Sequence, residues 1–237
     1  KNLTVVAALV SNVNRIFGDE ADANANAAAK GNFHVKAPVL NLNYKFEGVG
    51  DLTGYLYNLD VIDYDTLSTS TKGLRWKGNV KLGDVDSLAY VIEYAKQGDY
   101  ADNTLSFEHK YKNLEVSYSH DFFSVKVQRE SLGGDGLHSF QTPLATLHAF
   151  NGWADMFLST PNNGLVDTAL GFNAKFGDVN LAVVLDSYKS DVNGMNYGKE
   201  KGLLVTKPFG KNYSAGLKLA RYTADDLFVD TNKLWLW

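Results

Sequence analysis

The chain contains no cysteine, which removes a disulfide scaffold, a thiolate zinc site and a cysteine nucleophile from consideration. Basic residues are short: Lys+Arg 23 stand against Asp+Glu 27, a formal net charge of −4, the wrong balance for a nucleic-acid binder. Long apolar runs are missing as well. The longest, Val5 to Val10, falls far below the roughly 18 residues that a transmembrane helix requires. The lack of a helical span does not exclude a membrane, because a closed β-barrel also satisfies its backbone inside lipid. Proline is scarce, at Pro 4 in 237 residues. The chain starts at Lys1 without a signal-like apolar stretch, and so reads as a processed or trimmed form.

What is abundant points one way. The chain is 45% hydrophobic and 13% aromatic, with Tyr 13, Phe 13, Trp 4 and Gly 21. That is too apolar for a disordered chain and suits many strands joined by turns. Its length fits a single all-β barrel domain, 1–237. Strict alternation recurs along the chain. Leu40, Leu42, Tyr44 and Phe46 alternate with Asn41, Asn43 and Lys45. Leu74, Trp76, Val80 and Leu82 alternate with Arg75, Lys77, Asn79 and Lys81. Phe123, Val125 and Val127 face away from Ser124, Lys126 and Gln128.

This rhythm predicts strands over approximately 3–16, 34–47, 51–62, 73–83, 87–97, 104–120, 123–131, 165–176, 179–189, 200–208, 213–222 and 230–237. Within the sixth, the alternation slips between Tyr111 and Leu114, as a β-bulge would cause. Connections after even-numbered strands are short, for example Gly48-Val49-Gly50, Asp121-Phe122 and Gly177-Asp178. Those after odd-numbered strands are mostly longer and more polar, including Phe17 to Phe33 and Leu132 to Gly164. Short turns alternating with long loops are the habit of a bacterial outer-membrane barrel, with turns in the periplasm and loops outside. The reading is therefore an all-β transmembrane antiparallel up-and-down β-barrel of about twelve strands. Lys233-Leu234-Trp235-Leu236-Trp237 ends the chain on an alternating aromatic strand, which resembles the C-terminal signal of outer-membrane proteins. At a free soluble edge the same residues would be an aggregation hazard.

One long segment carries a family resemblance. Phe140-Gln141-Thr142-Pro143-Leu144-Ala145-Thr146-Leu147-His148, continuing through Phe150-Asn151-Gly152-Trp153-Ala154-Asp155 to Thr160-Pro161 and Gly164-Leu165, resembles a signature of outer-membrane porins grouped with the alginate-export family. Asn12 to Gly18, Tyr94-Ala95, Asp99 to Asp102 and Asp230 to Trp235 agree in style. The resemblance implies an outer-membrane porin, either a short relative or a C-terminal or shortened form of a longer barrel. It is not specific to alginate: a polyuronate path implies an arginine-rich lumen, and this chain has only Arg15, Arg75, Arg129 and Arg221.

In a lipid-embedded barrel, alternation assigns the lining, because apolar positions face out and polar ones face in. The expected inward acids are Asp60, Glu93, Glu108, Glu115, Glu130, Asp167 and Asp186. The expected inward bases are Lys45, Arg75, Lys77, Lys81, Lys110, Lys126, Lys175 and Lys218. Asp19, Glu20, Asp22, Asp63 and Asp65 then put the acid excess in loops. Arg75, Lys77 and Lys81 form a basic ladder on one strand that would guide anions, unless neighbours such as Asp60 and Glu93 match it. Tyr55, Tyr57, Trp76, Tyr90, Tyr94, Trp235 and Trp237 are expected as outward membrane girdles.

The Leu132 to Gly164 loop is expected to fold inward and constrict or plug the pore through Phe140, Leu144, Leu147, His148, Phe150, Trp153 and Asp155; packing on the outer rim is the competing arrangement. Leu144, Leu147 and His148 fit one helical face. Ser139, His148 and Asp155 could compose a hydrolase trio, but no nucleophile elbow places them. The five histidines show no zincin spacing, and no Gly-rich phosphate loop opens a helix. The sequence thus reads as a non-enzymatic outer-membrane channel for small hydrophilic solutes or ions. It implies no cofactor or metal, no nucleic-acid partner, and lipid or detergent as its surroundings. A plugged structural barrel and a soluble β-sandwich binding module are the alternatives.

Overall fold

The computed structural model describes residues 2–15, 31–145 and 148–237. Twelve strands form one sheet in sequence order. They are β1 (Leu3–Asn14), β2 (Asn32–Phe46), β3 (Gly50–Val61), β4 (Thr69–Lys81), β5 (Asp86–Asp99), β6 (Glu108–His120), β7 (Phe123–Leu132), β8 (Leu165–Phe176), β9 (Val179–Lys189), β10 (Asn196–Phe209), β11 (Tyr213–Ala224) and β12 (Thr231–Leu236). The chain is all-β with antiparallel up-and-down strands, as the alternation indicates. The tight turns follow even-numbered strands. At Gly177-Asp178 the glycine takes φ 58°, the left-handed region that a two-residue hairpin turn demands.

The expected bulge in the sixth strand is absent from its pairing with β7, which runs unbroken from Tyr111↔Leu132 to His120↔Phe123. The slip has another origin: Tyr111 and Asn113 lie on the polar face, where Tyr111 donates its hydroxyl to Glu130 at 2.5 Å. Register shifts fall instead between Val10 and Asn12 in β1 and between Asn196 and Gly198 in β10.

The strands belong to two compact units, one comprising 1–76 with 93–110, the other 77–92 with 111–237. In the first unit, Leu40, Leu42, Tyr44 and Phe46 are exposed on one face of β2. Asn41 and Asn43 on the other bond Tyr57 and Thr53. Toward the loop end the pattern inverts. Phe33, Val35, Ala37, Leu59 and Val61 bury themselves on the polar side and pack with Val10, Val13 and Tyr64.

This inversion corrects three expected lining residues. Asp60, opposite Lys36, alternates with the buried Leu59 and Val61 and so lies on the face of Leu56. Glu108 and Lys110 alternate with His109 and Tyr111 and share the face of Leu114 and Val116; Glu108 there pairs with Lys96 at 2.8 Å. Near the loops, hydrophobicity ceases to indicate the outward side.

In the second unit, Leu114, Val127, Leu170, Leu185, Leu219 and Leu234 are exposed on one face. Phe122, Phe176, Phe209 and Tyr213 extend it at the turn end, an aromatic border of the kind that seats a barrel in headgroups. On β2, the outward apolar series from Pro38 to Phe46 covers about nine residues, the length of a membrane-crossing strand.

Candidate functional site

The second unit carries the site, because there the polar face meets the 133–164 loop. Four carboxylates from adjacent strands face it and are buried: Glu130 on β7, Asp167 on β8, Asp186 on β9 and Glu200 on β10. Strand register sets them side by side, with Glu130 opposite Asp167 and Asp186 opposite Glu200. Buried carboxylates require hydrogen-bond donors, and the loop supplies them to three of the four, Glu130, Asp167 and Glu200. The Asn151 amide donates to Glu130 at 2.6 Å and to Asp167 at 3.4 Å. The Trp153 backbone N–H donates to Glu200 Oε1 at 2.5 Å, and the Ala154 N–H reaches both of its oxygens at 3.1 Å.

Gly152 lies between these donors with φ 93°, and a Cβ there would meet the Tyr188 hydroxyl and Glu200. Gly202 opens the space that the Trp153 ring fills. Phe157 is buried in a cradle of Tyr188, Tyr197 and Tyr222, with ring centroids 4.5, 5.9 and 6.1 Å away.

A second anchor reaches the last two strands. His148 Nδ1 lies 2.6 Å from Asp155, and Lys233 donates to the other Asp155 oxygen at 2.7 Å. Lys218 Nζ lies 2.8 Å from His148 Nε2. An ammonium donating to Nε2 leaves the proton of a neutral ring on Nδ1, from which it is donated to Asp155. Lys218 also sits over the Trp153 and Trp235 rings, at 4.3 and 5.4 Å.

Burial pushes the Asp155 carboxyl up, but the hydrogen bonds from Lys233 and His148 outweigh burial and hold it below the ordinary carboxylate range. The sign follows: a carboxylate depressed in the docked loop adds stability above its free value and loses it as pH falls through the depressed one. Asp155's own contribution to loop docking should therefore be present at neutral pH and lost in acid. Asp155→Asn should raise protease cutting of the loop at pH 7 and remove the loss of protection in acid that Asp155 contributes, which limited proteolysis of parent and variant at pH 3 to 7 measures.

The expected constriction residues are thus partly united. Phe140 is buried and packs on Tyr111, centroids 5.4 Å apart. His148, Trp153 and Asp155 engage the polar face, whereas Leu144 and Phe150 are exposed. Leu147 lies outside the described residues. The helical face expected for Leu144, Leu147 and His148 is not seen among the described residues, where turns and bends occupy 143–145 and 148–150. The serine trio is also broken, since Ser139 donates to the Thr160 carbonyl at 3.0 Å and Lys218 occupies the place beside His148.

Of the remaining expected lining residues, Lys126 faces Glu115 at 3.4 Å, and Lys175 lies on the same polar face of β8 as Asp167. Lys45 lies on the polar face of β2. Arg75, Lys77 and Lys81 share one face of β4, where Arg75 meets Glu93 at 3.3 Å and Tyr55 donates to Glu93 at 2.7 Å. The ladder is therefore compensated at Arg75. Four expected girdle residues are corrected here. Tyr55 and Tyr57 stack on the polar face, centroids 4.9 Å apart. Trp235 and Trp237 lie with Lys218 and Gly216 rather than with the exposed Leu234 and Leu236.

No protein-family model and no curated protein matches the chain. Solved structures do. OpdL of Pseudomonas aeruginosa matches with a TM-score of 0.71 at 14% identity, over 100% of this chain and 69% of that one. OccAB4 of Acinetobacter baumannii gives 0.72 at 14%, over 99% and 60%. The outer membrane protein OprD of Pseudomonas aeruginosa gives 0.70 at 14%, over 100% and 64%. The chain shares the fold of these structures, one of them an outer membrane protein. The chain spans between 60% and 69% of the length of these three structures. The alginate-export grouping finds no support among them, and the OprD type is the better fit.

Proposed function

We propose that this chain is a bacterial outer-membrane channel, a single barrel domain that passes small hydrophilic solutes or ions by diffusion along its polar face. The carrying observation is the division of the strands. One face exposes Leu, Val and Phe side chains, and the other carries ionised and amide groups bonded across strands, among them Arg75–Glu93 and Lys126–Glu115. Such a division suits lipid on one side and water on the other. Lys45, Lys77, Lys81, Lys126, Lys175 and Lys218 are the lining cations, and Glu93, Glu130 and Asp186 the lining acids. The likeness to OprD-type structures supports this reading over polyuronate export.

The chain acts without a covalent step or a cofactor; its surroundings are outer-membrane lipid, and its cargo is solute. The loop anchored at Glu130, Glu200 and Lys233 is the constriction. A second reading, a plugged barrel without conductance, is favoured by how fully Glu200 and the tyrosine cradle hold that loop. Planar-bilayer recording of the refolded chain separates the two. Steady conductance steps support the channel, and insertion without current supports the plug. Under a salt gradient, Lys77→Gln with Lys81→Gln should shift the reversal potential toward cation preference; an unmoved potential removes the ladder from selectivity.

A further inference from the structure

On the polar face of the second unit, Lys126 pairs with Glu115 and Lys233 with Asp155. The opposite face behaves differently. Lys112, Arg129, Lys199, Lys201 and Arg221 are all exposed, and none makes an ion pair among the described residues. Parity places them on the lipid side. Arg129 pairs in register with Leu114, Lys201 with Leu185, and Leu203 with Leu219.

Their height is also fixed. On β6, β7, β10 and β11 each cation holds the first outward position beyond the apolar series: Lys112 next to Leu114, Arg129 after Val127, Lys201 before Leu203, and Arg221 after Leu219. Two residues of strand advance roughly 7 Å, the step from hydrocarbon into headgroups. Lys201 stands directly opposite Arg221 in the ladder, and Lys199 is two positions along on the same face. Like charges directly opposed across strands are destabilising. No carboxylate separates this pair in register, and Asp191, on the loop after β9, is engaged by Ser131 at 3.1 Å.

Resting on the membrane reading above, we infer that this basic belt binds the phosphate groups of phosphorylated glycolipid in the leaflet at the loop end. Lysine and arginine just above a hydrocarbon boundary capture lipid phosphate by charge-assisted hydrogen bonds, and a phosphate shared between Lys201 and Arg221 relieves their repulsion.

The test uses the whole refolded chain in phosphatidylcholine vesicles, alone or with lipid A or dephosphorylated lipid A, and with inorganic phosphate in the buffer as a separate arm. Bound lipid is counted by native mass spectrometry, and the unfolding temperature by the heat-dependent gel shift. Lipid A should bind and raise the unfolding temperature, while the dephosphorylated lipid and inorganic phosphate should do neither. The combined variant Lys112→Gln, Arg129→Gln, Lys201→Gln and Arg221→Gln should bind lipid A roughly a thousandfold more weakly and conduct as the parent does. Equal binding of both lipids by the parent overturns the inference, even if the variant fails to fold. So does an effect reproduced by inorganic phosphate alone, or lipid A binding retained by the folded variant. A chain that inserts into no vesicle overturns the membrane reading as well; insertion without phosphate dependence overturns the belt alone.

Discussion

Replacing residues 141–160 with a short Gly-Ser linker should raise single-channel conductance severalfold while the chain still folds and inserts. The loop occupies the polar face of β7 to β12 through Asn151, Trp153, Asp155 and Phe157, so its removal opens the width those side chains fill. Folding should survive, because strand pairing and the exposed apolar face are independent of the loop. The cost is local: Glu130, Asp167 and Glu200 lose their loop donors and must recruit water. In a channel, water reaches them, which converts a buried-charge penalty into ordinary solvation. Conductance unchanged in a correctly folded deletion would remove the constriction and place the narrowest point elsewhere.

The second large effect is expected from Glu200→Ala. Its carboxylate receives the backbone N–H groups of Trp153 and Ala154 and is 2% exposed. Hydrogen bonds to a charged acceptor contribute about 1.5–3 kcal/mol each. Losing two of them, less the relief of repulsion with the opposed Asp186, should destabilise the docked loop by about 3 kcal/mol. That shift multiplies the undocked population roughly a hundredfold. It should appear as open-channel flicker and as rapid protease cutting between 141 and 160. Glu200→Gln keeps an acceptor without the charge and should fall between the two. Equal protection of parent and Glu200→Ala would mean that the other anchors, Asn151 on Glu130, Asp155 on Lys233 and the tyrosine cradle around Phe157, hold the loop without it.

The strands were legible because alternation and turn chemistry agree: Leu40 to Phe46 with their asparagine partners, and the Gly177-Asp178 turn, leave little freedom. Which side faces inward was legible only within the apolar band. Beyond it, Phe33, Val35, Leu59 and Val61 turn toward the polar side, so Asp60 was assigned to the wrong face. Parity failed at Glu108 and Lys110 for a related reason, since Tyr111 belongs to the polar face through its hydroxyl on Glu130.

Glu200 was missed because it stands between Lys199 and Lys201 and looks like part of a solvated charge run. Its partners are backbone N–H groups more than forty residues away in the loop, a relation that no local pattern encodes. Period two along Lys199-Glu200-Lys201 was the available signal: a lone acid on the face opposite two lysines. Trp235 and Trp237 misled because an aromatic residue serves equally as a headgroup anchor or as a partner for a cation, here Lys218.

The account stands on which face meets water. Because the chain has no cysteine, single cysteines can be introduced without background along β8, at Leu170, Gly171, Phe172 and Asn173. Each variant is refolded into vesicles and exposed to a charged, water-soluble maleimide. Labelling is expected at Gly171 and Asn173, and protection at Leu170 and Phe172. The reverse pattern, with Leu170 and Phe172 reacting and Gly171 and Asn173 shielded, would contradict a water-filled polar face.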